Sequence, residues 1–516
     1  MNTARLTIPL LSLGLVLAAT NVAHAQHDDD DKPSPAPKMY NFDAFEISGE
    51  LSVTPGGAQD IAFSRDRIAA GEIPHPSVFT AEGLLSEHDL PMESAAPCHA
   101  LICVSGQATA VRLLAQPEVR SLAQLGFSSG LTAEGFKRDD LHIVAVIDKS
   151  GSMAGQPLEL VKESLRKLQT HLRPTDQLSI VLYGDRSHIY LAPTPAAQAK
   201  TIRSAIDAIE SAGSTNMEEG LAVGFGLARD AQSAFSGTTR VMLFTDERPN
   251  AGRTDATSFM GMAEAASRDK IGMTTIGVGV QFGAELATRI SSVRGGNLYF
   301  FPDAQRMSKV FEEDFDTMVT EMAWDVTLRV TPAPGLRVAG IYGIPGDLLA
   351  WEDDGNIRVQ LATLFLSKRS GAIYAAFAPA GNTALPGPTT KPGASVGTVS
   401  MSYLQRDGQQ VTSRAAFPLV DRNAAATGLR RGAMLIDQTT ALKEATRLHH
   451  EANDQEGAYQ LVHALASLYR QTDDPTLEPE RVMVERLEGT LAHLSGHKGE
   501  GVAAGRDPVS GLPPRR

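Results

Sequence analysis

Residues 141–153 read LHIVAVIDKSGSM, and the first seven form a nearly continuous apolar, β-branched run. A strand wetted on one face alternates polar with apolar residues; an unbroken run fits a strand buried on both faces under crossover helices. The following segment agrees. Leu158, Val161, Leu165 and Leu168 recur at intervals of 3, 4 and 3, which draws one apolar stripe along a helix, and Pro157 suits that helix's first turn. Further along, strands are expected at 178–183, 240–245, 273–279 and 297–301, and helices at 197–209, 217–231, 258–269 and 282–293. Such alternation over about 170 residues predicts an α/β fold with a doubly wound, mainly parallel sheet across residues 136–320.

The flanks have different textures. Residues 1–25 carry Arg5, an apolar run from Ile8 to Ala19 and the small-residue exit Ala23-His24-Ala25, the pattern of a secretory signal peptide with the mature chain starting at Gln26. The apolar run is short for a membrane span and no cysteine follows it for a lipid anchor. An acidic, proline-rich tether at 26–38 precedes a small mixed α/β domain at 39–135. Short alternating runs separated by Pro, Gly and Asp at 321–420 predict an antiparallel β domain, sandwich-like in pattern. Helices are expected at 421–495, broken near Asp473-Asp474-Pro475, and a flexible tail at 496–516.

Composition narrows the functional classes. With 42% apolar and 21% charged residues in a chain of 516, the protein reads as globular rather than as a polytopic membrane protein. Forty-seven basic against 60 acidic residues give a net charge of -13, which opposes binding to a phosphate backbone. Two cysteines exclude a thiolate metal cluster. In an oxidising compartment Cys98 and Cys103 are either bridged through a short loop or two small buried residues.

The chemistry concentrates just beyond the first buried strand. In a doubly wound sheet, ligands sit outside the carboxyl ends of the strands, and Asp148, Ser150 and Ser152 stand there. Thr215, in GSTN before the third helix, and Asp246, after the strand RVMLFT, occupy matching places. Taken singly, these residues are ordinary helix caps or turn residues. As a set of two carboxylates and three hydroxyls they suit Mg²⁺ or Mn²⁺, and Ca²⁺ in a looser geometry. His449 and His450 are adjacent, so they do not share a helix face and read as a solvated pair rather than a zinc site. Gly224 and Gly226 interrupt a helix and predict close helix packing.

The set DKSGSM, GSTN and FTDE within a β/α domain closely resembles the von Willebrand factor type A fold and its metal-ion-dependent adhesion site. The resemblance implies that Asp148, Ser150 and Ser152 form a first metal loop, Thr215 a second and Asp246 a third. The later TTIGVGVQFGAELATRISSVRGGNLYFFPDAQ is similar to the last strands and helix of bacterial members. SRDRIAAGEIPHPSVFTAEGLLSEHDLP resembles a short domain that precedes the A domain in a bacterial secreted subfamily, and the β region after Ala323 resembles the one that follows it. Lys149 and Glu247 depart from the small or apolar residue and the glycine usual in the family.

These features lead to the expectation of a divalent-cation-dependent, non-enzymatic protein-binding module of an exported bacterial protein, periplasmic or extracellular. A protein or peptide carboxylate would complete the metal shell, with envelope association possible and no nucleic-acid partner or transmembrane segment in the mature chain. The alternatives are an envelope scaffold in which the cation only stabilises the fold, and a metal-assisted hydrolase, which lacks a nearby histidine in sequence.

Overall fold

The computed structural model describes residues 52–55 and 61–497, apart from 93–96, 133–135, 247–255, 279–292, 294, 302–310, 313–314, 317, 345–347, 368–369, 382–392 and 406. The expected signal peptide, the tether, the helix at 282–292 and the tail beyond 497 lie outside the described residues.

The chain begins with β1 (Ser52–Pro55), α1 (Ile61–Ala69), α2 (Ala81–Ser86), β2 (Cys103–Ala110) and β3 (Ser121–Ser128). The α/β region follows: β4 (Leu141–Asp148), α3 (Gln156–His171), β5 (Gln177–Tyr183), β6 (His188–Pro195), α4 (Ala199–Asp207), α5 (Met217–Gln232), β7 (Thr238–Thr245), α6 (Ala256–Arg268), β8 (Ile271–Val278) and β9 (Gly296–Phe301). Then come β10 (Glu321–Pro332), β11 (Leu336–Tyr342), β12 (Leu349–Trp351), β13 (Ile357–Ser367), β14 (Ala372–Pro379), β15 (Ser395–Leu404), β16 (Gln410–Val420), α7 (Thr427–His450), α8 (Gln455–Arg470) and α9 (Glu478–Ser495).

Six strands form the α/β sheet in the order β6-β5-β4-β7-β8-β9. All neighbours are parallel except β6, which runs antiparallel to β5 at the edge. Every residue of β4 is buried, because both of its faces are covered. Ile143, Ala145 and Ile147 share a core with Leu158, Val161, Leu165 and Leu168 of α3, while Val144 and Val146 pack with Leu221 and Phe225 of α5. Burying each Leu or Ile contributes roughly 1.5–3 kcal/mol. Gly224 lets α5 close onto the sheet: a Cβ there would stand 2.4 Å from Val146 Cγ2. Gly226, by contrast, has nothing within 4 Å of a built Cβ, so the close packing expected of it belongs to Gly224 alone.

The second sheet has the order β1-β13-β10-β15-β16-β2-β3-β14-β11, with β12 also on β13. It joins strands from the two stretches that the sequence assigns to separate domains at 39–135 and 321–420. Three pairings join them: β1 with β13 along Ser52–Pro55, β3 with β14 from Ser121 to Gly126, and a short parallel pairing of β2 with β16, Ala108 with Leu419 and Thr109 with Val420. The helices after residue 421 likewise share a core with α1, α2, Leu122 and Tyr374. Tyr374 donates to Gly428 O at 2.6 Å, fixing α7 on the sheet. The α/β region is therefore inserted between strands of one larger β and helical body. Cys98 and Cys103 are disulfide-bonded, with their Cα atoms 5.7 Å apart. Among the described residues no helix is long and apolar enough to cross a membrane.

Candidate functional site

Asp148 closes β4 at the carboxyl end of the sheet, and parallel pairing sets it level with Tyr183 of β5 and next to the end of β7. A single helical turn, Gly151–Met153, follows, anchored by the fully buried Met153. Gly155, at φ 81, then turns the chain into α3, a left-handed conformation that favours glycine.

Asp148 is fully buried and held from several directions. Its Oδ1 accepts from the Ser150 N–H at 2.8 Å, and its Oδ2 accepts from the Tyr183 hydroxyl and the Thr245 hydroxyl, both at 3.2 Å. Above it, Ser150 Oγ and Ser152 Oγ share a hydrogen bond at 2.9 Å, and Ser152 Oγ donates to Asp246 Oδ1 at 3.0 Å. Four of the five residues singled out from the sequence are thus joined in one contact chain. Thr215, half-buried, belongs to the adjoining loop, which is tied in where Gly151 N–H donates to Gly213 O at 3.0 Å. The N-cap of α5 is Asn216, whose side chain accepts from Glu219 N–H, so Thr215 does not serve as that cap.

Lys149 is turned away from the two carboxylates. Its ammonium donates to Ala212 O at 3.1 Å, and its backbone bonds to Tyr183 O and Ala212 N–H. Beside it, Asp185 accepts from the Ser214 N–H and hydroxyl, contacts that hold its carboxyl below the usual range with Lys149 adding to the effect. Burial pushes the Asp246 carboxyl above its ordinary value; the Ser152 hydrogen bond opposes this, and the charge of Asp148 adds to it. Among the described residues neither Asp148 nor Asp246 forms an ion pair. Glu247 lies outside the described residues.

Oxygen-only donors from separate loops, with two carboxylates lacking a described counter-charge, fit a hard divalent cation. No group of three or more His, Cys, Asp or Glu side chains poised to hold a metal occurs among the described residues. A site built here would draw half or more of its donors from hydroxyls. The sequence reading overlooked Tyr183 and Thr245 as contributors. Their signal was a hydroxyl-bearing residue at the carboxyl end of each strand that flanks β4.

Residues 142–313 match the model of the von Willebrand factor type A domain. Protein YfbK of Escherichia coli is 30% identical over 193 residues, 37% of this chain and 33% of the relative. Protein sll0103 of Synechocystis is 27% identical over 203 residues, 39% of this chain and 47% of the relative. Inter-alpha-trypsin inhibitor heavy chain H1 of Mesocricetus auratus is 30% identical over 145 residues, 27% of this chain and 16% of the relative. The chain thus spans less than half the length of each of these relatives. Among solved structures, a von Willebrand factor type A protein from Catenulispora acidiphila aligns over 76% of this chain and 91% of its own, with a TM-score of 0.47 and 14% identity. The match over 142–313 and the parallel sheet with Asp148 at its carboxyl edge identify this part of the chain as a von Willebrand factor type A domain core.

Proposed function

We propose that the protein is a divalent-cation-dependent, non-catalytic protein-binding module of the adhesion type, belonging to a bacterial secreted subfamily with an extra N-terminal domain and a C-terminal β region. The reading rests above all on one observation, the chain of oxygens Ser150–Ser152–Asp246 over the buried Asp148. Asp148, Ser150, Ser152, Thr215 and Asp246 would hold Mg²⁺, with Ca²⁺ or Mn²⁺ as alternatives. When bound, such a cation offers an electropositive position to a partner's oxygen. Neutral hydroxyl donors leave much of the cation's charge uncompensated, which favours a carboxylate on a protein or peptide partner. Export to the periplasm or beyond, with association to the envelope, is supported by the leader pattern at 1–25 and by the Cys98–Cys103 bridge, a bond that persists in oxidising compartments.

Crosslinking in native envelopes tests the proposal, run with Mg²⁺, with EDTA and with Asp148→Ala. The partner captured with Mg²⁺ is expected to disappear in the other two arms. Capture that is equal in all three would refute cation-dependent binding.

A further inference from the structure

We infer that Tyr183 and Thr245 are positioning residues that fix the Asp148 carboxylate for cation binding, an inference that rests on the metal reading proposed above. Tyr183 ends β5 and Thr245 ends β7, the two strands that flank β4. Both residues are fully buried, and both hydroxyls donate to the same oxygen, Asp148 Oδ2, at 3.2 Å. The Ser150 N–H holds the other oxygen at 2.8 Å. Three donors from three segments thus define the plane of a carboxylate that could otherwise rotate on its own strand end.

The tyrosine is itself held in place. Its carbonyl accepts from Lys149 N–H at 3.0 Å, and α5 lies directly over its ring: a Cβ on Gly220 would come within 2.7 Å of Tyr183 Cγ. An apolar ring would fill that space equally well, so packing alone does not account for the hydroxyl. A carboxylate aimed in advance spares the cation the work of ordering it, and outer partners of this kind commonly govern metal affinity by about 10–100-fold.

The test uses the full chain. Mg²⁺ titration by calorimetry and Mn²⁺ titration by electron paramagnetic resonance are compared for wild type, Tyr183→Phe, Thr245→Val, Thr245→Ser and Asp148→Ala, with thermal unfolding in EDTA as the control for folding. Tyr183→Phe and Thr245→Val are each expected to weaken both cations by about 10-fold, and Thr245→Ser, which keeps the hydroxyl, to restore wild-type affinity. A residue that only supported the fold would lower the unfolding temperature in EDTA and leave affinity unchanged. If Asp148→Ala loses the cation while folded Tyr183→Phe or Thr245→Val binds as wild type does, the positioning role fails and the site reading stands. If wild type and Asp148→Ala bind alike, the site reading fails and takes this inference with it.

Discussion

Where β4 and β7 begin, buried arginines meet carboxylates; where the same strands finish, Asp148 and Asp246 are joined through the Ser150 N–H and two serine hydroxyls and lack a described counter-charge. At the first pole Arg240 is fully buried, pairs with Glu321 at 2.7 Å and donates to Gly295 O and Thr274 Oγ1. Arg138, ahead of β4, reaches Asp176 and Asp316, each at 2.6 Å. Glu321 opens β10, so this pole also joins the α/β region to the larger sheet. One pole is closed by internal pairing, whereas the other, among the described residues, carries two carboxylates without an ion pair. Incomplete local satisfaction of this kind marks functional surfaces.

The largest effect expected from this contrast lies at the closed pole. Glu321→Ala would strand the Arg240 guanidinium, whose pKa burial already lowers, and would also remove the acceptor of the Trp324 indole N–H. Breaking one side of a buried ion pair costs about 3–5 kcal/mol, so the urea midpoint should fall markedly. An unmoved midpoint would mean that this junction is not held by charge pairing.

The next effect concerns His142, buried near the start of β4 with Nε2 2.9 Å from Ser179 Oγ. Burial lowers its pKa from 6.5 to about 4. The folded chain therefore binds fewer protons than the unfolded chain between those values. Stability present above pH 6.5 is lost on acidification through the folded pKa, by about 3 kcal/mol at roughly 1.4 kcal/mol per unit. His142→Gln should flatten that part of a stability–pH curve measured by chemical unfolding. An unchanged slope would show that other groups control the acid response.

Much of the open pole was legible in the sequence because parallel strands deliver their carboxyl ends to one edge. Asp148, Ser150, Ser152 and Asp246 need only the strand pattern to be brought together. Tyr183 was harder to read, since a tyrosine ending an apolar strand looks like core until its register with Asp148 is known. Strand β6 escaped notice for another reason. His188–Pro195 holds two prolines and a single buried residue, as an edge strand tolerates, and so lacks the apolar pattern that marked its neighbours. The shared second sheet was illegible because the pairings that join it, β1 with β13, β3 with β14 and β2 with β16, link segments about 250 residues or more apart, and local periodicity says which residues form strands but not which strands pair.

The smallest effect sets the two poles against each other most directly. Burial, reinforced by the charge of Asp148, raises the Asp246 pKa, so the folded state holds that proton more tightly than the unfolded state. The stability this provides is present below the unfolded pKa and is lost as pH rises through the folded one, which leaves ionised Asp246 a burden at neutral pH. Asp246→Asn keeps an oxygen for Ser152 and removes the charge. In EDTA at pH 7 the variant should unfold slightly later than wild type, by less than about 1 kcal/mol because the side chain is partly exposed. In excess Mg²⁺ the order should reverse, since only wild type gains the stabilisation that a bound ligand confers on the native state. Calorimetric scans with and without Mg²⁺ read both effects. A variant less stable than wild type in EDTA would mean that the chain already compensates Asp246, and the contrast between an open and a closed pole would fall.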